Sequence, residues 1–512
     1  MNRSRKATKN IMISLAGYLA VLLAGFVSRI VFIRYMGIEM VGVGQLFANL
    51  LTMLSYAQLG AGTAIIYGLY DCVSAGDTIR VQSLLRFYRS CFHWIGTGIL
   101  VFVLAALPLL RYVIVEEGEI PYAHAAFAVL GINAAVSYFW ASKRCIIIAA
   151  QDKWLSSLYS DAASVIQLCV QVAVIVLTQN YLFYLLVNTA CILASNLAVS
   201  AEADRRYPFL KERGVPRIGS EEKKRIIKTT AAMLGQKMGF IVAFAIDSLL
   251  IVRYLGLHTM GLYANYLMVL NALKLAINIL FQSVVAGMGN VAVTESRERL
   301  REIFDVLDLL GFWIHGFAAV CLLVLFNPFI ILWLGGEYTF SAGIVLVLVV
   351  NFYLDGRRKA VITCKDVLGL QWNDRYKPVL ECGLNLALCL ALIRFLGLGG
   401  VLLGMAGSVA LTSGWIEPWI LHRHGFGKPS GPYFVKRLKQ VLVLCLAGGL
   451  AWVFAALCGS GEGTAVFLVR MLICTVVPNA VFWLAYGRSK EFREGIVSFQ
   501  NIMKISRGDE ET

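Results

Sequence analysis

Residues able to do chemistry are scarce in the apolar stretches of this sequence, and where they occur they fall on single helical faces. Asn271, Lys274, Asn278 and Gln282 follow one another at spacings of three, four and four, which places all four along one side of a helix. Gln45, Asn49, Thr52 and Tyr56 repeat the pattern at spacings of four, three and four. Arg29, Lys237 and Lys274 add positive charge and Asp247 adds negative charge to the same kind of apolar run. A charge near a bilayer centre costs about 2.5 to 3.5 kcal/mol at the least, so one that persists usually faces a cavity or a partner. Cations set among amides suit a ligand that carries phosphate and many hydroxyls, because guanidinium and ammonium groups pair with phosphate while amides bond to hydroxyls. Hydrogen bonding between helices accounts for Gln45 and Thr52 comfortably and for Lys274 poorly, so Lys274 is expected to face a cavity. Asp161, Glu381 and Glu417 could carry protons or bind sodium, but Asp161 and Glu381 stand near helix ends, where bridges to local Lys and Arg serve as well.

The elements that position these residues are membrane helices. The 512-residue chain is 59% hydrophobic and 15% charged, with a mean hydropathy of +0.72, which excludes an ordinary soluble protein. Apolar runs long enough to span a bilayer, about 20 residues each, recur from Ile11 almost to Tyr486. Unbroken runs rather than period-two alternation select helices over a barrel. The fold class is therefore an all-α integral membrane protein, and the runs predict fourteen transmembrane helices. Ile11 to Ile33 reads as the first of them and not as a cleavable signal, because it is long enough to span and has no small-residue cleavage site before a soluble domain.

The net charge of +15 would suggest nucleic acid in a soluble protein, but its distribution points elsewhere. Of the 46 Lys and Arg, 38 fall on the side holding the N-terminus, four (Arg34, Arg111, Arg253 and Arg394) on the other, and four (Arg29, Lys237, Lys274 and Arg470) within spans. Basic loops stay in the cytoplasm, so both termini are expected there, with the bilayer and not nucleic acid as the partner. The expected organisation is a six-helix lobe at 1–204, a basic linker at 205–225, a second six-helix lobe at 226–425, two further helices at 426–487 and a cytoplasmic tail at 488–512 with amphipathic character.

The two lobes carry an internal repeat. Arg34-Tyr-Met-Gly-Ile-Glu-Met-Val-Gly-Val43 aligns with Arg253-Tyr-Leu-Gly-Leu-His-Thr-Met-Gly-Leu262, and Lys143-Arg-Cys-Ile-Ile-Ile-Ala-Ala-Gln-Asp152 with Arg357-Arg-Lys-Ala-Val-Ile-Thr-Cys-Lys-Asp366, at offsets of 219 and 214. The first pair joins the first and second helices of each lobe, so its glycines are expected to make a tight turn. Repeats of even helix count are related by an axis along the membrane normal, and a cavity between them with rocking access is the expectation. In this alignment Asp247 falls on Ser28, so Arg29 and Asp247 form either an ion pair or two charges facing one cavity. The plainer readings are a bridge that only fixes packing, or an Arg29 that reaches to the surface.

Signals for an enzyme are missing from the sequence. The 12 cysteines form no CxxC pair, arguing against zinc and disulfides, and the six histidines make no HExxH or other metal spacing. His422 and His424, among basic residues, read as solvated. External connections are short, leaving no loop for a polymerase or ligase site.

Leu54-Ser-Tyr-Ala-Gln-Leu-Gly-Ala-Gly-Thr-Ala-Ile-Ile-Tyr-Gly-Leu-Tyr70, Gly261-Leu-Tyr-Ala-Asn-Tyr266 and Gly369-Leu-Gln-Trp-Asn-Asp-Arg-Tyr-Lys-Pro-Val-Leu-Glu381 followed by Asn385 resemble the Wzx-type polysaccharide flippases of the MOP superfamily. That superfamily also holds the MATE drug exporters and the lipid II flippase. The resemblance runs through most of residues 10 to 425, and departs at Asp71-Cys72, where relatives commonly read Lys-Pro, and at Gln58, where an acid is usual. It implies a V-shaped bundle of two six-helix lobes in a bacterial cell membrane. It further implies a cargo of undecaprenyl-pyrophosphate-linked oligosaccharide moved from the cytoplasmic to the outer leaflet. Coupling to protons or sodium, and partnership with a polysaccharide polymerase and glycosyltransferases, come with it. Arg29, Lys237 and Lys274 would supply charge to such a cargo, and Gln45, Asn49, Asn271 and Asn278 hydrogen bonds. A lipid II flippase shares that chemistry, whereas a MATE-like drug exporter would want an acidic or aromatic cavity.

Overall fold

The computed structural model describes residues 3–113, 123–211, 218–294, 297–459 and 463–495. Side chains of residues 3–12, 53–68, 228–245 and 280–294, with a few single positions, lie outside that description. The described chain is helical, with no strand among the described residues.

Fourteen long helices follow in order: α1 (Arg3–Met36), α2 (Ile38–Ser74), α3 (Thr78–Ala106), α4 (Ala123–Ala149), α5 (Lys153–Thr178) and α6 (Tyr181–Arg206). Ser220–Thr294 runs as one helix broken at Gly256, giving α7 (220–255) and α8 (257–294). Then come α9 (Arg297–Trp333), α10 (Ala342–Val367), α11 (Lys377–Leu396), α12 (Leu398–Leu411, continued by Ser413–Ile420), α13 (Gly431–Leu457) and α14 (Thr464–Tyr486). Among the described residues eleven stretches are long and apolar enough to cross a membrane. Helix α10 is not one of them, because Asp355, Arg357, Arg358 and Lys359 interrupt its apolar run. Large apolar side chains stand far outward along the spans, Leu177 81% and Phe395 83% exposed, as lipid-facing surfaces require. The chain is a multi-pass membrane protein with the expected all-α class.

The repeat motifs mark the turns. Gly37 ends α1 with φ of 84° and Gly256 ends α7 with φ of 80°, a left-handed conformation that only glycine adopts without strain. The second glycine of each motif makes no turn: Gly42 and Gly261 lie inside α2 and α8. Side-chain caps open other helices. Asp77 accepts from the Arg80 amide at 3.0 Å before α3, and Asn180 accepts from the Leu182 amide at 2.9 Å before α6, satisfying donors that the helix start leaves unbonded.

The chain divides into two compact units, Met1–Ala264 and Asn265–Thr512. In the first, α3 packs on α4, α4 on α6, α5 on α6, and α1 along α5. In the second, α9 packs on α10, α10 on α12, and α11 on α12. Third on fourth, fourth on sixth and fifth on sixth thus recur in both sets of six helices. Helices α13 and α14 pack on each other and on α9, closing a core of Val320, Val324, Ala451, Ala455 and Cys474. A second core joins Leu300, Phe304 and Leu307 of α9 to Ala360, Val361 and Cys364 of α10, with Tyr433 of α13.

His422 differs from the solvated reading. It is buried, with Nδ1 donating to the Pro418 carbonyl at 2.8 Å, and its ring packs against Phe304, Phe426 and Tyr433. His424 is exposed. A widened, π-helical turn at Leu421–Gly425 sends the two rings to opposite environments.

Candidate functional site

Charge converges on α10. Successive helical positions point about 100° apart, so Asp355, Arg357, Arg358 and Lys359 leave the helix toward different neighbours. Asp355 pairs with Lys274 of α8 at 2.9 Å, and Lys359 donates to the Asn278 side-chain oxygen on the same helix. Arg357 is 3% exposed. It donates to the Asp308 carboxylate of α9 at 2.9 Å, to the Asp308 carbonyl at 2.6 Å and to Gln440 Oε1 of α13 at 2.8 Å. Arg437 of α13 reaches the same carboxylate at 3.3 Å.

Arg358 turns to the other side. It meets Glu417 of α12 through two nitrogens at 2.8 and 3.2 Å and Glu381 of α11 at 3.5 Å. Lys377 also bonds Glu417, and Ser413 donates to Glu381. Two cations and two carboxylates close this cluster. Buried pairs of this kind add little net stability over apolar packing, but removing one member leaves an uncompensated charge. Arg357 and Arg358 are therefore committed to joining helices.

What stays open is the α8 face. Asn271 is exposed, and the Lys274 and Asp355 side chains are 36% and 50% exposed. Lys274, Lys359 and Asp355 leave one unbalanced positive charge there, beside the amides of Asn271 and Asn278. The opposite face of α8 is apolar. Val269, Leu273, Ala276 and Ile277 line a cavity of about 520 Å³ with Trp313, Phe317 and Phe329 of α9 and Phe467 of α14. At 100° per residue Val269, Leu273 and Ala276 point away from Asn271, Lys274 and Asn278, while Ile277 lies at the border between the two faces. One helix thus separates a wet cationic surface from a greasy groove.

The remaining expected residues lie in the first unit and are distributed differently. Gln45 donates to Asn49 at 2.8 Å, and Asn49, 6% exposed, donates to Ser248 of α7 at 2.7 Å. Asn49 thereby spends both ends of its amide on packing contacts. Asp247 is 8% exposed and sits beside Tyr263. Arg29 is half-buried beside the phenols of Tyr181 and Tyr184, which stack with ring centroids 6.0 Å apart. Among the described residues no ion pair joins Arg29 to Asp247. The side chains of Lys237, Gln282 and Tyr56 lie outside the described residues.

Arg357, Arg358 and Lys359 count with the cytoplasmic-side basic residues in the sequence, at the end of the fourth predicted helix of the second lobe, and the structure places all three inside α10, buried among neighbouring helices in the case of Arg357. The sequence did not show that Arg357 and Arg358 turn inward to pair with carboxylates of other helices. The signal that finds them is the set of carboxylates within apolar runs, Asp308, Glu381 and Glu417, each of which needs a cation nearby.

This arrangement of helices is known from solved structures. The chain is similar to a lipid II flippase, MurJ, in an inward closed conformation, at 13% identity and a TM-score of 0.66, covering 93% of this chain and 99% of that one. It is similar to a multidrug resistance MATE family transporter of the MOP superfamily in an inward-facing conformation, at 13% identity and a TM-score of 0.65, covering 81% and 98%. An outward-facing MATE structure matches at 15% identity and a TM-score of 0.53, covering 83% and 96%. No family model matches the chain, and no curated protein does. The fold is MATE-like and MurJ-like.

Proposed function

We propose that the protein is a flippase that moves an undecaprenyl-pyrophosphate-linked oligosaccharide from the cytoplasmic to the outer leaflet of a bacterial cell membrane by alternating access. The observation that carries this reading is the two-sidedness of α8. A lipid-linked sugar needs cationic and hydrogen-bonding groups for its pyrophosphate and hydroxyls, and an apolar track for its chain. Lys274, Lys359, Asn271 and Asn278 supply the first, and the groove lined by Leu273, Ala276, Phe317 and Phe329 supplies the second. A cationic drug would be repelled by the positive face, which weighs against MATE-like efflux.

A lipid II flippase is the second reading, favoured by the similarity to MurJ along nearly the whole chain; its cargo has the same pyrophosphate and lipid. Coupling to a proton or sodium gradient belongs to the same proposal, with Asp247, buried beside Tyr263, as the candidate acid. A polymerase and glycosyltransferases that make and consume the cargo are the proposed partners.

Charge reversal tests the reading. Lys274→Glu and Arg29→Glu are expressed in cells that depend on the transporter for surface polysaccharide, and in cells depleted of their lipid II flippase. Loss of surface polysaccharide at normal protein level is the expected result. Wild-type rescue of peptidoglycan synthesis instead selects the second reading, and unchanged polymer in both variants counts against the cationic path.

A further inference from the structure

Arg144 and Arg358 hold equivalent places in the two repeats, yet their partners differ in charge. Arg358 on α10 bonds Glu381 of α11 and Glu417 of α12. Arg144 on α4 donates through Nη2 to Ser160 Oγ of α5 at 3.3 Å and to Asn196 Oδ1 of α6 at 3.2 Å. Glu381 and Glu417 each lie 221 residues beyond Ser160 and Asn196. The same bridge from a fourth helix to the fifth and sixth is therefore built twice, once with carboxylates and once with neutral groups.

Among the described residues no carboxylate pairs with Arg144. Asp204 is engaged by Lys143 at 2.7 Å. Asp161, next to Ser160, turns toward α1, where a β-carbon on Gly17 would stand 2.3 Å from its Oδ2.

Arg144 also has room beside it. It lines a cavity of about 220 Å³ with Ser160, Ser164, Gln167, Ser195 and Asn196. Ser195 and Asn196 are 8% and 9% exposed, and Ser195 Oγ and Asn196 Nδ2 are buried without a hydrogen-bond partner. A buried donor left unbonded costs about 1 to 3 kcal/mol, and a guanidinium without a counter-charge costs more. An uncompensated cation, two spare donors and space between them are what an oxyanion satisfies together. Arg144 lies five residues before the end of α4, about 8 Å along the axis, a depth that a lipid head group or a free ion reaches from the surface.

We propose that this cavity in the first unit is an anion site for a singly charged phosphate oxyanion, with Arg144 supplying the charge and Ser195 and Asn196 the hydrogen bonds. One guanidinium balances the one charge of a phosphodiester, and its planar donors match phosphate oxygens. The site shares no residue with the α8 face, so it stands or fails independently of the transport reading. Two sources fit the chemistry, free phosphate and the diester of an anionic phospholipid.

The experiment melts the full-length protein in two settings. In detergent, sodium phosphate replaces sodium chloride at constant ionic strength; in nanodiscs, phosphatidylglycerol replaces part of the phosphatidylcholine. A ligand that binds only the folded state raises the unfolding temperature in a saturable way. A rise with phosphate identifies the free ion as an occupant, and a rise with phosphatidylglycerol identifies the head group. Asn196→Glu gives Arg144 the carboxylate that Arg358 already has, so this variant is expected to fold and to weaken the ligand at least about tenfold. Arg144→Gln is expected to lose the shift as well. A wild-type melting temperature unmoved in both settings, or a shift kept undiminished in Asn196→Glu, overturns the proposal.

Discussion

Gly42 and Gly261 meet through their backbones. A β-carbon on Gly42 would stand 2.2 Å from the Leu257 carbonyl oxygen, and one on Gly261 would stand 2.1 Å from that of Ile38. Ile38 and Leu257 are themselves repeat equivalents, as are the two glycines, each pair 219 residues apart. The contact is thus reciprocal, the start of α2 on the start of α8, and small residues are what let membrane helices approach this closely. Gly42→Ala and Gly261→Ala are each expected to destabilise by about 1 to 3 kcal/mol, the usual cost of overpacking. Gly98→Ala, where nothing lies within 4 Å, serves as the control and is expected to be neutral. Thermal unfolding of the purified variants checks all three, and a Gly42→Ala melt equal to that of Gly98→Ala would falsify the close approach.

Glu417 offers a different kind of test, because it is 2% exposed and accepts from both Arg358 and Lys377. Glu417→Gln leaves two cations facing Glu381 alone, and the expected loss is about 3 to 5 kcal/mol. The double variant Glu417→Gln with Arg358→Gln restores the balance, so its loss is expected to fall short of the two single losses combined. Additive losses in denaturant or heat melts would remove the cluster from the account of α10.

The helices, their class and the repeat were legible in the sequence because apolar length and the Arg-Tyr-x-Gly motif are local signals. The turn at Gly37 and Gly256 followed from residue type. That Gly42 and Gly261 serve packing did not, since a close approach depends on which segment arrives opposite. The face of Asn271, Lys274 and Asn278 could be read from spacing, whereas its partners Asp355 and Lys359 could not. They sit next to Arg357 and Arg358, and which neighbour each of four charges in five residues meets depends on the helices that arrive opposite. Asn49 looked like Lys274 in the sequence, and only burial separates a packing amide from an accessible one.

Lys274 can be removed at little cost to the fold. Its bridge to Asp355 is more than a third exposed on both sides, and such pairs contribute about 0 to 1 kcal/mol. Lys274→Gln is therefore expected to melt within about 1 kcal/mol of wild type. Its loss of a charge-assisted hydrogen bond to phosphate, about 1.5 to 3 kcal/mol, is expected to weaken head-group binding about tenfold or more. Binding of a short-chain polyprenyl pyrophosphate to detergent-solubilised protein measures the second effect, and equal affinity for both proteins would exclude Lys274 from the path.

Ala276 separates a lipid-anchored cargo from a soluble one. It stands exposed in the groove opposite Trp313 and Phe317, so a larger apolar side chain there fills space without displacing the cationic face of α8. Ala276→Trp adds apolar contacts to a cavity of about 520 Å³, and the melting temperature is expected to hold or rise. If the groove carries the polyprenyl chain, transport falls while Lys274 still binds a water-soluble pyrophosphate with wild-type affinity. A soluble head group alone has no use for this groove. Full surface polymer in Ala276→Trp cells would therefore move the lipid chain off this side of α8, and polymer loss with intact pyrophosphate binding would place the chain in the groove and the phosphate across the helix from it.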